Sequence, residues 1–344
     1  MRRITGLICA ALAMVAVITT VAATANAQTA IEYALMSGPV ASDDGSGKAD
    51  APSGEFVYRK GKYTPLGSIP GYPLTTHAGF NNRGQIVGAY LRDPAAPRVR
   101  GFLRDRRGRY ERIDVPGAAA SFPFDVNDRG TVVGVYSRDL VGLHGFLRRP
   151  TGAITTVDVP GASATAPSGV NNRGAVVGCY LDDDEGSHGF LLERGIVTAI
   201  DPPGANQDAT GGCQIQAFDV NDRRQIVGFY PDAQGTFHGF LYHKGRFTTL
   251  DHPDASDSAR TGACDGMGFA ASAAFGIDNH GRVVGQYVDP DGVLHGYLWE
   301  RKRGFRTIDH PRGGGSVAVD INDRGQILVP APAPAGFSKL DGCF

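Results

Sequence analysis

Residues 126–162 read VNDRGTVVGVYSRDLVGLHGFLRRPTGAITTVDVPGA, and the same order of parts returns through most of the chain. An apolar residue leads into Asn127-Asp128-Arg129-Gly130. Val-Val-Gly-x-Tyr, an acidic turn, His-Gly-Phe-Leu, a second glycine turn and Thr-Thr-Val-Asp-Val-Pro-Gly-Ala follow. Equivalents of Asn127 fall at Asn81, Asn171, Asn221, Asp278 and Asn322, spaced 44 to 57 residues apart. A period of this size belongs to propeller blades or to helical repeats. Short runs of Val, Ile, Thr, Tyr and Phe, broken every few residues by Gly or Pro, exclude the helical kind. Four runs are read in this unit, at 124–127, 131–136, 144–147 and 154–159. Asn-Asp-Arg-Gly supplies residues that tolerate the positive φ of a tight hairpin. Four antiparallel strands per unit make a propeller blade.

The repeat is cut at both ends. Residues 321–328 repeat the first half of a unit with no second half after them, whereas 54–66 (GEFVYRKGKYTPL) align with 238–250. Five complete units and one shared unit predict an all-β fold, a six-bladed β-propeller of four-stranded antiparallel blades over residues 54–330. The C-terminus supplies the two inner strands of the shared blade and the N-terminus the two outer ones, which removes exposed sheet edges. A monomer is expected. Glycine recurs inside the second strand (Gly88, Gly134, Gly178, Gly228, Gly285), where close approach of a neighbouring sheet is expected. The aromatic after each His-Gly (Phe102, Phe146, Phe190, Phe240, Tyr297) is bulky enough to fill the space between blades.

The spaced pattern Asn-Asp-Arg-Gly-x-Val-Val-Gly-x-Tyr, His-Gly-Phe-Leu, Thr-x-[Ile/Leu]-Asp resembles the bacterial extracellular HAF-repeat proteins, named for a His-Ala-Phe signature. Gly stands here where that name has Ala, and Arg100 and Gly54 replace the His in two units. The resemblance covers residues 54–328. It implies export and a repeat-built β fold, and it carries no reaction.

Residues 1–27 read as a signal peptide: Arg2 and Arg3, an apolar stretch over 7–21, and Ala25-Asn26-Ala27 before the cut. Residues 28–53 read as a flexible lead-in and 331–344 as a C-terminal tail. Loss of Arg2 and Arg3 leaves 32 Lys and Arg against 35 Asp and Glu, so no global attraction to nucleic acid or anionic membrane is expected. Cys179, Cys213, Cys264 and Cys343 remain, an even number that favours disulfides in an exported chain. Cys213 and Cys264 each sit in a lengthened crossover and are the expected pair, with Cys179 and Cys343 left over. No Cys-x-x-Cys occurs, and neither a metal site nor a cofactor is expected.

The recurring histidines (His144, His188, His238, His295) and aspartates (Asp114, Asp158, Asp201, Asp251, Asp309) suggest a general base and its orienter. Their repetition in several blades is better explained by a structural hydrogen bond. The acidic turns at 182–186 and 289–292 lack the spacing of a twelve-residue calcium loop and read as ordinary turns. The arginine run from Arg98 to Arg112 is interleaved with acids and reads as a solvated edge that could otherwise hold a polyanion. No Gly-x-Ser-x-Gly, His-Glu-x-x-His or phosphate loop is present.

Residues that break the repeat carry the functional expectation. The crossovers at 204–217 and 254–275 are lengthened and share one face of the ring. Asp208, Gln214, Gln216, His252, Asp254, Asp257 and Asp265 are expected to point outward there and to contact an extracellular protein or glycan. The expected function is a secreted binding module. The alternative is an extracellular hydrolase or lyase acting on a carbohydrate or lactone at the channel mouth. Residues lining the axis decide between them, since equivalents from every blade favour the module and unrepeated carboxylates or histidines the enzyme.

Overall fold

The structure, a computed structural model, describes residues 55–72, 75–91, 99–140, 142–207, 212–256, 271–309 and 316–329. The predicted signal peptide, lead-in and tail lie outside these residues. Among the described residues no helix is long and apolar enough to cross a membrane.

The strands form six four-stranded antiparallel sheets arranged as a six-bladed propeller. The N-terminal pair is β1 (Phe56–Arg59) and β2 (Lys62–Pro65). Blade I holds β3 (Thr75–Phe80), β4 (Ile86–Leu91), β5 (Val99–Arg104) and β6 (Tyr110–Ile113). Blade II holds β7 (Ala120–Val126), β8 (Val132–Ser137), β9 (His144–Arg148) and β10 (Ile154–Thr156). Blade III holds β11 (Ala164–Val170), β12 (Val176–Leu181), β13 (Ser187–Glu193) and β14 (Ile196–Ala199). Blade IV holds β15 (Gln216–Val220), β16 (Ile226–Pro231), β17 (Phe237–His243) and β18 (Arg246–Thr249). Blade V holds β19 (Ser272–Ile277), β20 (Val283–Val288), β21 (Leu294–Glu300) and β22 (Gly304–Ile308).

Blade VI joins the termini. Its inner strands are β23 (Asp320–Ile321) and β24 (Ile327–Val329), and β1 pairs antiparallel with β24, Phe56 opposite Val329 and Tyr58 opposite Ile327. The ring therefore closes as the half-repeats predict. One junction is specialised. Elsewhere the Gly of His-Gly faces Pro or Ala of the next inner strand, as Gly145 faces Pro167. At the closure Glu55 stands in the Gly slot and His77 opposite it. The Glu55 carboxylate accepts the His77 backbone N–H (3.1 Å) and pairs with His77 Nδ1.

The in-strand glycines need a different explanation from the expected one. A Cβ on Gly134 would meet the Phe122 carbonyl oxygen at 2.2 Å and the Phe146 ring at 2.9 Å, both in its own blade. The register shift between Pro123 and Asp125 bulges β7 toward β8, and glycine makes room for it. The neighbouring blade instead presses on the Gly of His-Gly: a Cβ on Gly145 would lie 2.6 Å from Pro167. Inner strands also start earlier than the sequence predicts, β7 at Ala120 rather than near 124.

The core lies in layers between blades. Val177 of blade III packs with Val220, Ile226 and Phe240 of blade IV, all buried. Each such side chain contributes about 1.5–3 kcal/mol on burial. The aromatics after His-Gly are buried throughout, as expected.

Candidate functional site

In an antiparallel meander the first and third turns share one edge, while the second turn and the crossover share the other. The propeller thus has a crossover face and a turn face, and the predicted contact residues belong to the first. Gln216 (3% exposed) and His252 (6%) are buried there rather than directed outward. His252 stacks on Tyr287 with ring centroids 3.7 Å apart, a packing role that removes it from the surface. The Asp254 side chain is 73% exposed. Gln214 sits in the crossover, its backbone N–H donating to the Gly212 carbonyl. Asp208, Asp257, Asp265 and Cys264 lie outside the described residues.

The expected Cys213–Cys264 pair is corrected. Cys213 is bonded to Cys179, with Cα atoms 5.8 Å apart. Cys179 occupies the middle of β12, and the crossover leaving blade III folds back over it into a shared apolar cluster.

Each recurring His–Asp pair is engaged in holding its blade. His144 Nδ1 bonds Asp158 Oδ2 (2.9 Å), and Asp158 Oδ1 accepts the Gly145 N–H (3.0 Å). In blades III to V a second carboxylate, the first Asp of the acidic turn, bonds the other ring nitrogen: Asp182 to His188, Asp232 to His238 and Asp289 to His295. These turn aspartates also cap their own turns, Asp182 Oδ1 accepting from the Asp184 and Gly186 N–H groups. Tyr180 stacks on His188, as Tyr136 does on His144 and Tyr287 on His295, which explains the Tyr near the end of these second strands. Burial lowers His188 and His238, but the two carboxylates outweigh it. In His295 the Asp309 bond is the largest cause, and all three imidazoles end above the usual range.

The axis carries a continuous polar network, one that the unit-by-unit alignment does not reveal. The second turn residue alternates around the ring: Asn82, Asp128, Asn172, Asp222, Asn279, Asp323. Asn82 Nδ2 donates to Asp128 and Asp323, both at 2.9 Å. Asn172 donates to Asp222 (3.1 Å) and Asp128 (3.4 Å), and Asn279 to Asp323 (3.1 Å) and Asp222 (3.4 Å). Every amide thus bridges two carboxylates. Backbone N–H groups reinforce the ring, as from Asp128 N to Asn172 Oδ1 (2.8 Å). An all-Asp ring would set like charges side by side, and alternation gives each acceptor its donors.

A deeper layer alternates in step: Gly79, Asp125, Gly169, Asp219, Gly276, Asp320. Each of these carboxylates accepts one N–H of its own blade and one of the next, Asp125 from Val126 (2.6 Å) and Val170 (2.8 Å). A Cβ at Gly79 would meet the Phe124 carbonyl oxygen at 2.5 Å and Asp125 Oδ1 at 3.1 Å, so the Asp layer requires the Gly layer. These rings line a cavity of about 70 Å³, room for a few waters. Desolvation in the channel raises all three carboxyls, Asp125 to about 8 with a further push from Asp219, Asp219 to about 6, and Asp320 well above its ordinary value with help from Asp125 and Asp219.

The sign of the pH dependence follows. Asp125 and Asp219 have folded pKa values above the unfolded one, so their contribution is complete below about pH 4 and lost as pH rises through about 6 to 8, and the raised Asp320 acts in the same direction. The three raised histidines contribute fully below about pH 6.5 and lose this above it. Both effects point the same way. A thermal scan should give a higher Tm at about pH 5.5 than at about pH 8.5. The reverse order would contradict the protonation states assigned here.

Asp278 is the exception in the ring of Asn81, Asn127, Asn171, Asn221 and Asn322, whose amides each donate to the next blade's carbonyl, as Asn127 Nδ2 does to Asn171 O (2.8 Å). An aspartate cannot donate. Arg282 replaces the missing amide, binding Asp278 through Nε (2.5 Å) and reaching the Asp323 carbonyl (3.1 Å). Asp278, His280 and Asp323 bring one metal-ligand atom each within 4.8 Å of one another, with Asp278 already neutralised by Arg282.

The turn face is strongly basic. The third residue of the inner turns is Arg83, Arg129, Arg173, Arg223, His280 and Arg324, all exposed. The outer turns present Lys60, Arg106, Arg149, Arg194, Lys244 and Lys302, also exposed. Among the described residues, none of these Arg and Lys side chains forms an ion pair. The two kinds of turn touch: Arg224 of an inner turn pairs with Glu193 beside an outer one (2.8 Å). The crossover face is acidic, with Asp183, Asp184, Asp254 and Asp291 exposed. The near-neutral total hides two oppositely charged faces.

No family model and no curated protein matches the chain. Among solved structures, the putative TolB from Agrobacterium tumefaciens is similar at 12% identity and a TM-score of 0.55, covering 80% of this chain and 97% of that one. A streptogramin B lyase (11%, TM-score 0.41, 82% and 99% covered) and the Aleuria aurantia lectin (11%, TM-score 0.42, 76% and 80% covered) also match. At these identities the likeness is one of fold.

Proposed function

We propose that this propeller is an exported, non-catalytic binding module that holds a polyanionic ligand on its turn face. The carrying observation is the segregation of charge, with unpaired Arg and Lys on the inner and outer turns of one face and exposed acids on the other. The axis supports a module over the alternative hydrolase or lyase, because all six blades supply its lining from equivalent positions and the one unrepeated carboxylate, Asp278, is tied up by Arg282. The His–Asp pairs recur as structural ties, and the unrepeated Glu55–His77 pair is a closure contact with its imidazole buried between blades. The resemblance to HAF-repeat proteins belongs to the same proposal, and a buried disulfide fits an oxidising compartment.

Charge-driven binding is screened by salt, with a Debye length of about 10 Å at 0.1 M. Calorimetric titration of the mature chain with dextran sulfate should show binding at about 50 mM salt that is lost by about 500 mM. No binding at the lower salt would overturn the proposal.

A further inference from the structure

We infer that the turn face docks flat on an anionic lipid bilayer. The inference rests on the polyanion reading and adds the shape of the partner. The cations lie on two concentric circles, the inner through Arg83, Arg129, Arg173, Arg223 and Arg324 and the outer through one Arg or Lys per blade. A linear polyanion is matched by a stripe, whereas circles of charge repeated in every blade match a plane of headgroups.

Acids on this face do not oppose such a plane. Glu193, Glu300 and Asp105 are paired with Arg224, Arg303 and Arg109. Asp128, Asp222 and Asp323 are partly buried and bonded to asparagine amides at the axis. Ile196, 69% exposed, follows the outer turn of Arg194 and Gly195 and gives the rim a shallow apolar contact. The acidic crossover face is repelled by the same membrane, so the charge asymmetry also fixes orientation. The near balance of 32 basic and 35 acidic residues argues against membrane attraction only if charge is spread evenly, and here it is not.

The test is co-sedimentation of the mature chain with vesicles of phosphatidylcholine alone or with about 30% phosphatidylglycerol, each cation near the surface being worth about fivefold in partitioning. Binding is expected only to the anionic vesicles and only at low salt. Replacing Arg83, Arg129, Arg173, Arg223 and Arg324 together with Gln should lower partitioning at least about 100-fold. A second variant, Lys60→Gln with Arg106→Gln, Arg194→Gln and Lys244→Gln, provides an independent reading should the first fail to fold. Asp183→Asn with Asp184→Asn on the opposite face should not weaken it. Binding to dextran sulfate without binding to anionic vesicles would overturn the bilayer inference and leave the polyanion reading standing. Binding to neither would sink both.

Discussion

Deleting residues 55–66 is expected to abolish cooperative folding of the whole ring. These residues supply the outer half of blade VI, and the strand they add to β24 is the one that joins the termini. Phe56 is fully buried and Tyr58 is 8% exposed. Both pack against Val284, Leu298 and Ile308 of blade V as well as Ile321, Ile327 and Val329 of their own blade. Truncating a buried aromatic typically costs about 3–5 kcal/mol, and total domain stability is about 5–15 kcal/mol. Losing both, with the ladder of β1 and the Glu55–His77 contact, exceeds what the ring can spare. The freed edge of β24 would also be open to pairing with other chains. Phe56→Ala alone should lower stability by about 3–5 kcal/mol in urea unfolding followed by fluorescence and circular dichroism. A truncated chain that unfolds cooperatively at the wild-type midpoint would show that closure contributes little.

Removing the Cys179–Cys213 bridge should have the next largest effect. The two residues are 34 apart in sequence, so the chain-entropy model gives about 3–4 kcal/mol for the closed loop. The bridge also pins the lengthened crossover against Ala166, Leu181 and Val135, so its loss loosens that crossover locally. Cys179→Ala with Cys213→Ala, which leaves neither partner of the bridge as a free thiol, should lower the urea midpoint and raise proteolysis within residues 204–215. Cys264→Ala should leave both measurements unchanged. An equal loss in the Cys264→Ala protein would restore the pairing that the sequence favoured.

The architecture was legible because its signals are periodic. The recurring Asn-Asp-Arg-Gly turn sets the phase, and complementary half-repeats can be matched without any structure. The axial site was harder to read because its information lies in what differs between successive units. Asn82, Asp128, Asn172, Asp222, Asn279 and Asp323 look like tolerated variation when units are averaged, and become an alternating donor–acceptor ring when compared in pairs. Gly79 against Asp125 carries the same two-blade period. The expected disulfide differs from the one formed because the sequence pairs the cysteines of the two lengthened crossovers and leaves Cys179 over. What matters is the crossover that returns over that residue's mid-strand slot, and its path is a tertiary fact. The basic face was present in the sequence as one Arg in the inner turns and one cation in the outer turns. It becomes a surface only once the antiparallel meander places first and third turns on the same edge.

The central claim is that a polyanion is held on the turn face, and arginine footprinting tests it most directly. A chain lacking residues 1–27 would be treated with phenylglyoxal in the presence and absence of dextran sulfate, and modified sites read by mass spectrometry. Protection is expected at Arg83, Arg129, Arg173, Arg223 and Arg324, while Arg138 on the crossover face, lying over the Tyr136 ring, keeps its reactivity. Protection of Arg138 with the turn arginines still reactive would place the ligand on the opposite face and contradict the account.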